Sequence, residues 1–337
     1  MREMNISRGD LWHNTDMIDN YDYFIVISES SSISEAAEKL FLSHQALSLY
    51  LKNLEQRYRT SFFERSPRLR LTPAGQAFLE AAREMQFIEQ NLQNRIKNLE
   101  QDDTGTIRFG TTEGRYRILI PRIMAEFRRM YPRVKVITDY GTTSSLREAV
   151  LENHLDFVLL NEVVRPHKDL SFEELLEERM NLVISDDLLK QYFPREYPAC
   201  ISRFREGVDL AEFSEVPFVL AKENKNSRTK LEVYLSEYHN KLHTVMELMQ
   251  SDVHYMLTAQ NYAASFCWDM YVPSIHRLNR CGEMSRLHVF PLMGRDINNR
   301  LILVQRKGKI CAPYETAFCR LLRQLCRSFQ NPALEEV

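Results

Sequence analysis

Apolar residues follow two different spacings along this 337-residue chain, and the change comes near residue 104. Over the first hundred positions they recur every three or four residues, the period of a helix that buries one face. An aromatic and aliphatic run from Asp19 to Ser28 (Tyr21, Phe24, Ile25, Ile27) predicts a short helix, followed by a polar break from Glu29 to Ser32. Ser34 is placed to cap a second helix with Ala36, Ala37 and Leu40 facing inward. Phe41 and Leu42 form a turn, and Ser43 caps a third helix that runs to about Tyr58 with Ala46, Leu47, Tyr50, Leu51 and Leu54 on its apolar side. Two short helices joined by a tight turn make a helix-turn-helix pattern. In the segment from Phe62 to Thr72, alternation around Arg68 to Leu71 with Pro67 at the tip predicts a two-stranded wing. Thr72 caps the next helix and Pro73 fits its first turn. In that helix Phe78, Ala82, Met85, Ile88, Leu92, Ile96 and Leu99 form a stripe reaching about Gln101. Such a stripe with polar flanks reads as a coiled-coil-like seam that pairs with a second subunit.

After the boundary at Asp102-Asp103-Thr104-Gly105 the grammar changes. Strands are predicted at Thr106 to Gly110, Arg133 to Tyr140, Leu155 to Leu160, Met180 to Ser185, Val216 to Ala221 and Leu301 to Arg306. Helices are predicted at Leu119 to Met130, Ser144 to Asn153, Thr229 to Tyr238, Met246 to Ala259 and Ala312 to Phe329. Strands alternating with helices imply a parallel sheet with crossover connections.

Composition narrows the function classes. Hydrophobic residues at 44% and charged residues at 27% fit a chain that buries real cores. The formal charge is only −2, so any nucleic-acid site must come from local charge. Such a patch exists: between Lys52 and Arg70 stand the cations Lys52, Arg57, Arg59, Arg65, Arg68 and Arg70 against only Glu55 and Glu64. Beside a capped helix and a wing, that excess suits phosphate contact. No apolar signal core opens the chain and no long apolar run suggests a membrane span. The six cysteines (Cys200, Cys267, Cys281, Cys311, Cys319, Cys326) form no C-x-x-C pair, and no cofactor or metal is expected. An enzyme would have to rest on Cys267 or His254, without a nucleophile elbow, a Walker loop or an HExxH motif. A solute-binding transport module is disfavoured by the absence of a signal and by the DNA-reading pattern.

The string from Ser34 to Gly75 resembles the DNA-binding domain of LysR-type transcriptional regulators. The carrying residues are Ala36-Ala37-Glu38-Lys39-Leu40, Ser43-His44-Gln45-Ala46-Leu47-Ser48, Leu54-Glu55, Phe63-Glu64-Arg65 and Leu71-Thr72-Pro73-Ala74-Gly75. In the second half, Thr106-Ile107-Arg108-Phe109-Gly110, Phe127 with Tyr131-Pro132, Gly141-Thr142 and Leu155-Asp156 resemble the same family's regulatory domain. The resemblance implies an N-terminal winged helix-turn-helix, a long linker helix that dimerises, and two Rossmann-like α/β subdomains similar to periplasmic binding proteins. Residues 1–16 read as a polar extension ahead of it, and the resemblance places the DNA-binding domain at 17–75, the linker at 76–103, subdomain I at 104–165 with 273–337, and subdomain II at 166–272. It also implies a cytoplasmic homo-oligomer, dimer or tetramer, with double-stranded DNA and a small-molecule effector as partners and RNA polymerase as a candidate third. No membrane partner is expected.

The exposed N-terminal face of the third helix is expected to read DNA through Ser43, His44, Gln45, Ser48 and Lys52, with Arg65, Arg68 and Arg70 on the backbone or minor groove. His44 stands where the family commonly has Gln, Gln45 where Pro or Ser is frequent, and Leu49 and Tyr50 where Arg and Gln are frequent, so base preference does not carry over. The effector is expected at loop ends of the sheet: Thr111, Thr112, Glu113 and Arg115 ahead of one helix, Thr142 and Thr143 ahead of another, and Asn226, Ser227 and Arg228. Plain helix capping explains some of these residues equally well. Tyr262 replaces part of a glycine-rich turn common in relatives and is expected to fill part of the pocket. An effector-independent regulator, whose α/β half serves only oligomerisation or protein interaction, is the alternative.

Overall fold

The computed structural model describes residues 16–64, 68–100, 103–161, 167–330 and 332–333. The chain divides into two units, one of residues up to 102 together with Lys309–Ala312, the other of Asp103–Gly308 with the segment from Pro313 onward.

The first unit holds α1 (Asp16–Ser28), α2 (Ile33–Lys39), α3 (His44–Tyr58), β1 (Phe63–Glu64), β2 (Arg70–Leu71) and α4 (Pro73–Glu100). Helix α2 starts one turn-fraction earlier than the sequence suggested. Its cap is Ser32 rather than Ser34, with Oγ of Ser32 accepting from the Glu35 N–H at 3.2 Å. The Glu35 carboxylate reaches back to the Ser31 N–H at 2.8 Å, which fixes the helix start from both sides. Ser43 caps α3 as expected, accepting from the Ala46 N–H at 3.1 Å, but Ala46 itself is exposed rather than core. Phe24, Ile27, Ala36, Leu47, Leu51, Phe62 and Phe63 form the core with Leu79 and Ala82 of α4. The wing strands are antiparallel, Phe63 opposite Leu71 and Glu64 opposite Arg70. Gly75 in the first turn of α4 lies against the Phe62 carbonyl, and a Cβ there would stand 2.1 Å from that oxygen. Only glycine lets the long helix leave the wing this closely.

The second unit runs β3 (Gly105–Thr111), α5 (Glu113–Met130), β4 (Val134–Tyr140), α6 (Thr143–Leu151), β5 (Phe157–Asn161), β6 (Leu170–Ser185), α7 (Asp186–Tyr192) and α8 (Ala199–Phe204). It continues with β7 (Pro217–Ala221), α9 (Asn226–Glu237), β8 (His243–Leu248), α10 (Ser251–Ala259), β9 (Ser265–Trp268), α11 (Val272–Cys281), β10 (Leu287–Pro291), β11 (Asn298–Arg306) and α12 (Pro313–Arg327). Seven strands form one sheet in the order β10-β6-β11-β5-β3-β4, with β9 also on β6. Strands β3, β4 and β5 are parallel, but β11 is antiparallel to both β5 and β6, so the sheet is mixed rather than parallel. Periodicity reports which face of a strand is buried and carries no information on its direction.

The 16-residue β6 makes two subdomains out of this sheet. Its first part pairs with β11, and its end pairs with β9 and β10. Strand β10 therefore stays with the second subdomain, and the chain returns between Pro291 and Asn298 rather than near residue 272. The stretch read as a helix from Met246 begins as β8, parallel to β7, and turns helical only at Ser251. A cluster of Phe193, Phe204, Phe213, Phe218 and Phe290 fills the second subdomain's core.

Candidate DNA-reading face and ligand cleft

In the first unit α3 buries Leu47, Leu51 and Leu54 and turns its other side outward. Ser43, His44, Gln45 and Lys52 are exposed and Ser48 is half-buried. Arg68 and Arg70 on the wing are exposed as well, whereas Arg65 lies outside the described residues. Among the described residues no ion pair holds Lys52, Arg68 or Arg70. The head thus presents a capped helix start, with first-turn N–H groups free of intrahelical acceptors, beside three uncompensated cations. Along α4 the apolar stripe begins in the head's core at Phe78 and Ala82 and is exposed within the chain from Met85 on, with Ile88 65%, Leu92 56% and Leu99 85% exposed.

In the second unit a cleft of about 670 Å³ opens between the subdomains, beyond the carboxyl ends of β3 and β4. Four helix starts meet there: those of α5, α6, α9 and α10. The start of α6 is closed by a reciprocal cap, in which Thr142 Oγ1 accepts from the Ser145 N–H at 3.2 Å and Ser145 Oγ from the Thr142 N–H at 3.1 Å. The N-cap residues of α5, α9 and α10 (Thr112, Lys225 and Gln250) make no such side-chain bond, and the first residues of these helices, Glu113, Asn226 and Ser251 among them, line the cleft.

The floor is a buried polar network. Arg115, 3% exposed, is paired with Glu178, fully buried. It donates from Nε to Asn161 Oδ1 at 3.1 Å and from Nη1 to Glu178 Oε2 at 3.4 Å. Asn299 Nδ2 donates to Glu178 Oε1 at 2.9 Å, and Asn226 Nδ2 to Asn299 Oδ1 at 3.4 Å. Burial opposes the charge on Arg115, yet Glu178 outweighs it and pushes the guanidinium's pKa above its ordinary value. Arg117 on α5 reaches across the cleft to Asp252 on α10 and also meets Glu113 at 3.4 Å. These two carboxylates raise its pKa, Asp252 first.

Seven of the ten residues expected around the effector line this cleft: Thr112, Glu113, Arg115, Thr142, Thr143, Asn226 and Ser227. Three do not. Thr111 is fully buried and donates its hydroxyl to the Leu159 carbonyl at 2.9 Å. Arg228 is turned behind the wall, to the Ala221 carbonyl at 3.0 Å and the Glu247 carboxylate at 2.7 Å. Tyr262 is 48% exposed outside the lining and fills no part of it. The lining also includes Arg147, Gln250, Asp252, Tyr271 and Asn299, which no local motif announced. Cys200, Cys267, Cys319 and Cys326 are buried, and burial pushes the Cys326 thiol up to about 12. Among the described residues no His, Cys, Asp and Glu cluster could hold a metal, and no helix is long and apolar enough to cross a membrane.

Comparison with known proteins agrees with both halves. Residues 18–76 match the family profile for bacterial regulatory helix-turn-helix proteins of the lysR family, and residues 100–327 match the LysR substrate binding domain. Among curated proteins the chain is 23% identical to the HTH-type transcriptional regulator YtlI of Bacillus subtilis, over 93% of this chain and 94% of that one. It is 26% identical to the HTH-type transcriptional activator CmpR of Synechocystis, over 69% of this chain and 72% of that one. Among solved structures, a full-length OxyR variant from Pseudomonas aeruginosa superposes with a TM-score of 0.66 at 19% identity, covering 95% of this chain and 99% of that one. Full-length CbnR in complex with its target DNA gives 0.53 at 17% identity, covering 91% and 99%. The chain belongs to the LysR family: it is a DNA-binding transcriptional regulator with an effector-binding α/β domain, and not an enzyme.

Proposed function

We propose that this regulator binds double-stranded DNA as a cytoplasmic homo-oligomer, dimer or tetramer, and that a small polar effector in the cleft alters the geometry of that oligomer on DNA. RNA polymerase is the machinery such a change would address. The DNA contacts fall to Ser43, His44, Gln45, Ser48 and Lys52 on α3 and to Arg65, Arg68 and Arg70 on the wing. The carrying observation for the effector is the cleft of about 670 Å³ ringed by four helix starts, three of them without a side-chain cap. Its size suits a small metabolite. Its open amide groups favour a ligand with acceptor or anionic groups, and Glu113 and Asp252 favour donor groups at the Arg117 edge.

The test is a thermal-shift screen of metabolites on the full chain and on Ser144→Trp, which places an indole in the cleft. A true effector at a hundred times its Kd stabilises the wild type by about 2.7 kcal/mol and leaves the variant unmoved. One observation favours the effector-independent alternative: Arg117–Asp252 and Asn226–Asn299 already tie the subdomains together across the cleft. Discrete DNA sites with no stabilising metabolite would support that alternative.

A further inference from the structure

The outward side of α3 carries one large aliphatic residue among polar ones. With about 100° between successive residues, Gln45, Lys52, Asn53 and Gln56 all lie within about 60° of Leu49 around the helix. The core residues Leu47, Leu51 and Leu54 lie on the other side. Leu49 is 57% exposed and is not a member of the head's buried core. It stands one turn after Gln45 and three residues before Lys52, beside both at one edge of the face assigned to DNA, with Ser48 and His44 about 100° and 140° around the helix from it.

A lone surface leucine is ordinary on a face that stays in water. This face does not, because a recognition helix in the major groove brings its central residues against base edges. Leu49 has no donor or acceptor. Opposite the N7 and O6 of guanine, the amine of cytosine or the amine of adenine it would strip water from a polar group and return nothing. The thymine C5-methyl is the apolar group that the major groove offers. We infer that Leu49 is a specificity-determining residue that packs on a thymine methyl, fixing an A·T pair of one orientation in each half-site. The inference rests on α3 being the groove-reading helix of this family member.

The experiment begins with selection of bound duplexes from a random pool by the purified full-length chain at fixed salt. In the selected site each thymine is then replaced singly by deoxyuridine, which removes the methyl and leaves the Watson–Crick edge intact. One thymine per half-site should lose about fourfold in affinity, the worth of one buried methyl. Changing that thymine to cytosine should weaken binding, and 5-methylcytosine should recover part of the loss. Leu49→Ala should bind more weakly, melt like the wild type and no longer distinguish thymine from deoxyuridine at that position. Leu49→Met, which keeps an apolar tip, should still distinguish them. A selected site at which no thymine-to-deoxyuridine change matters overturns the inference, as does a Leu49→Ala protein that still senses the methyl. A pool with no enriched sequence overturns both the inference and the reading of α3 on which it rests.

Discussion

Lys52, Arg68 and Arg70 in the head are exposed and have no carboxylate partner among the described residues, whereas Arg115, Arg117 and Arg228 around the cleft are each held by one or two carboxylates. For Arg115 and Arg228, 3% and 11% exposed, the difference follows from solvent, whereas Arg117, 52% exposed, is paired because Glu113 and Asp252 stand beside it. A cation in water needs no partner and stays available to a phosphate, while a cation taken from water must be paired where it sits. A formal charge of −2 for the whole chain therefore conceals a polarised molecule. The comparison also says what the cleft asks of a ligand. Its buried guanidinium is already committed to Glu178, so under the proposed reading a ligand would be recognised by the helix starts and hydroxyls of the lining rather than by Arg115.

The largest expected effect comes from breaking that commitment. Arg115→Met leaves Glu178 buried without its partner and should cost the α/β half about 3–5 kcal/mol in denaturant unfolding. Arg115→Met with Glu178→Leu should recover most of it. A single variant losing under about 1 kcal/mol would mean that the pair is not the support its burial implies. Next comes the exposed part of the α4 stripe. Leu92→Asp with Ile96→Asp should lower the mass seen by light scattering and weaken DNA binding at least about tenfold, as half-sites are then engaged singly. An unchanged mass would place the oligomer contact elsewhere.

The head was legible because its elements carry local chemistry. A serine cap, a glycine forced by the Phe62 carbonyl and an apolar stripe at helical spacing each leave a mark within a few residues. The error at the start of α2 is of the same local kind, since Ser32 and Ser34 are both sound caps and only Glu35 reaching back to Ser31 decides between them. The α/β half was legible in its element order and much less in its pairing. Strand β8 was read as helix because Val245 and Met246 lie on an exposed strand whose apolar residues show no alternation of burial. The antiparallel return of β11 and the pairing of β6 with both β11 and β10 are set by contacts more than a hundred residues apart. The cleft divides along the same line. Helix starts are visible in sequence, and Thr112, Thr142, Asn226 and Ser227 do line the cleft. The direction of Thr111 toward Leu159, 48 residues on, and of Arg228 toward Glu247 on β8, a strand that was itself read as helix, is set by strand pairing rather than by a local motif.

The contrast between open and committed cations is tested most directly by the salt dependence of DNA affinity. Each phosphate neutralised contributes about 0.9 to the slope of log K against log salt on duplex DNA. Arg68→Ala with Arg70→Ala should therefore flatten the slope by roughly two and weaken binding to selected and random duplexes alike. Arg117→Ala, whose guanidinium is taken by Glu113 and Asp252, should leave the slope at the wild-type value. A wing variant with the wild-type slope, or an Arg117 variant with a flatter one, would contradict the account.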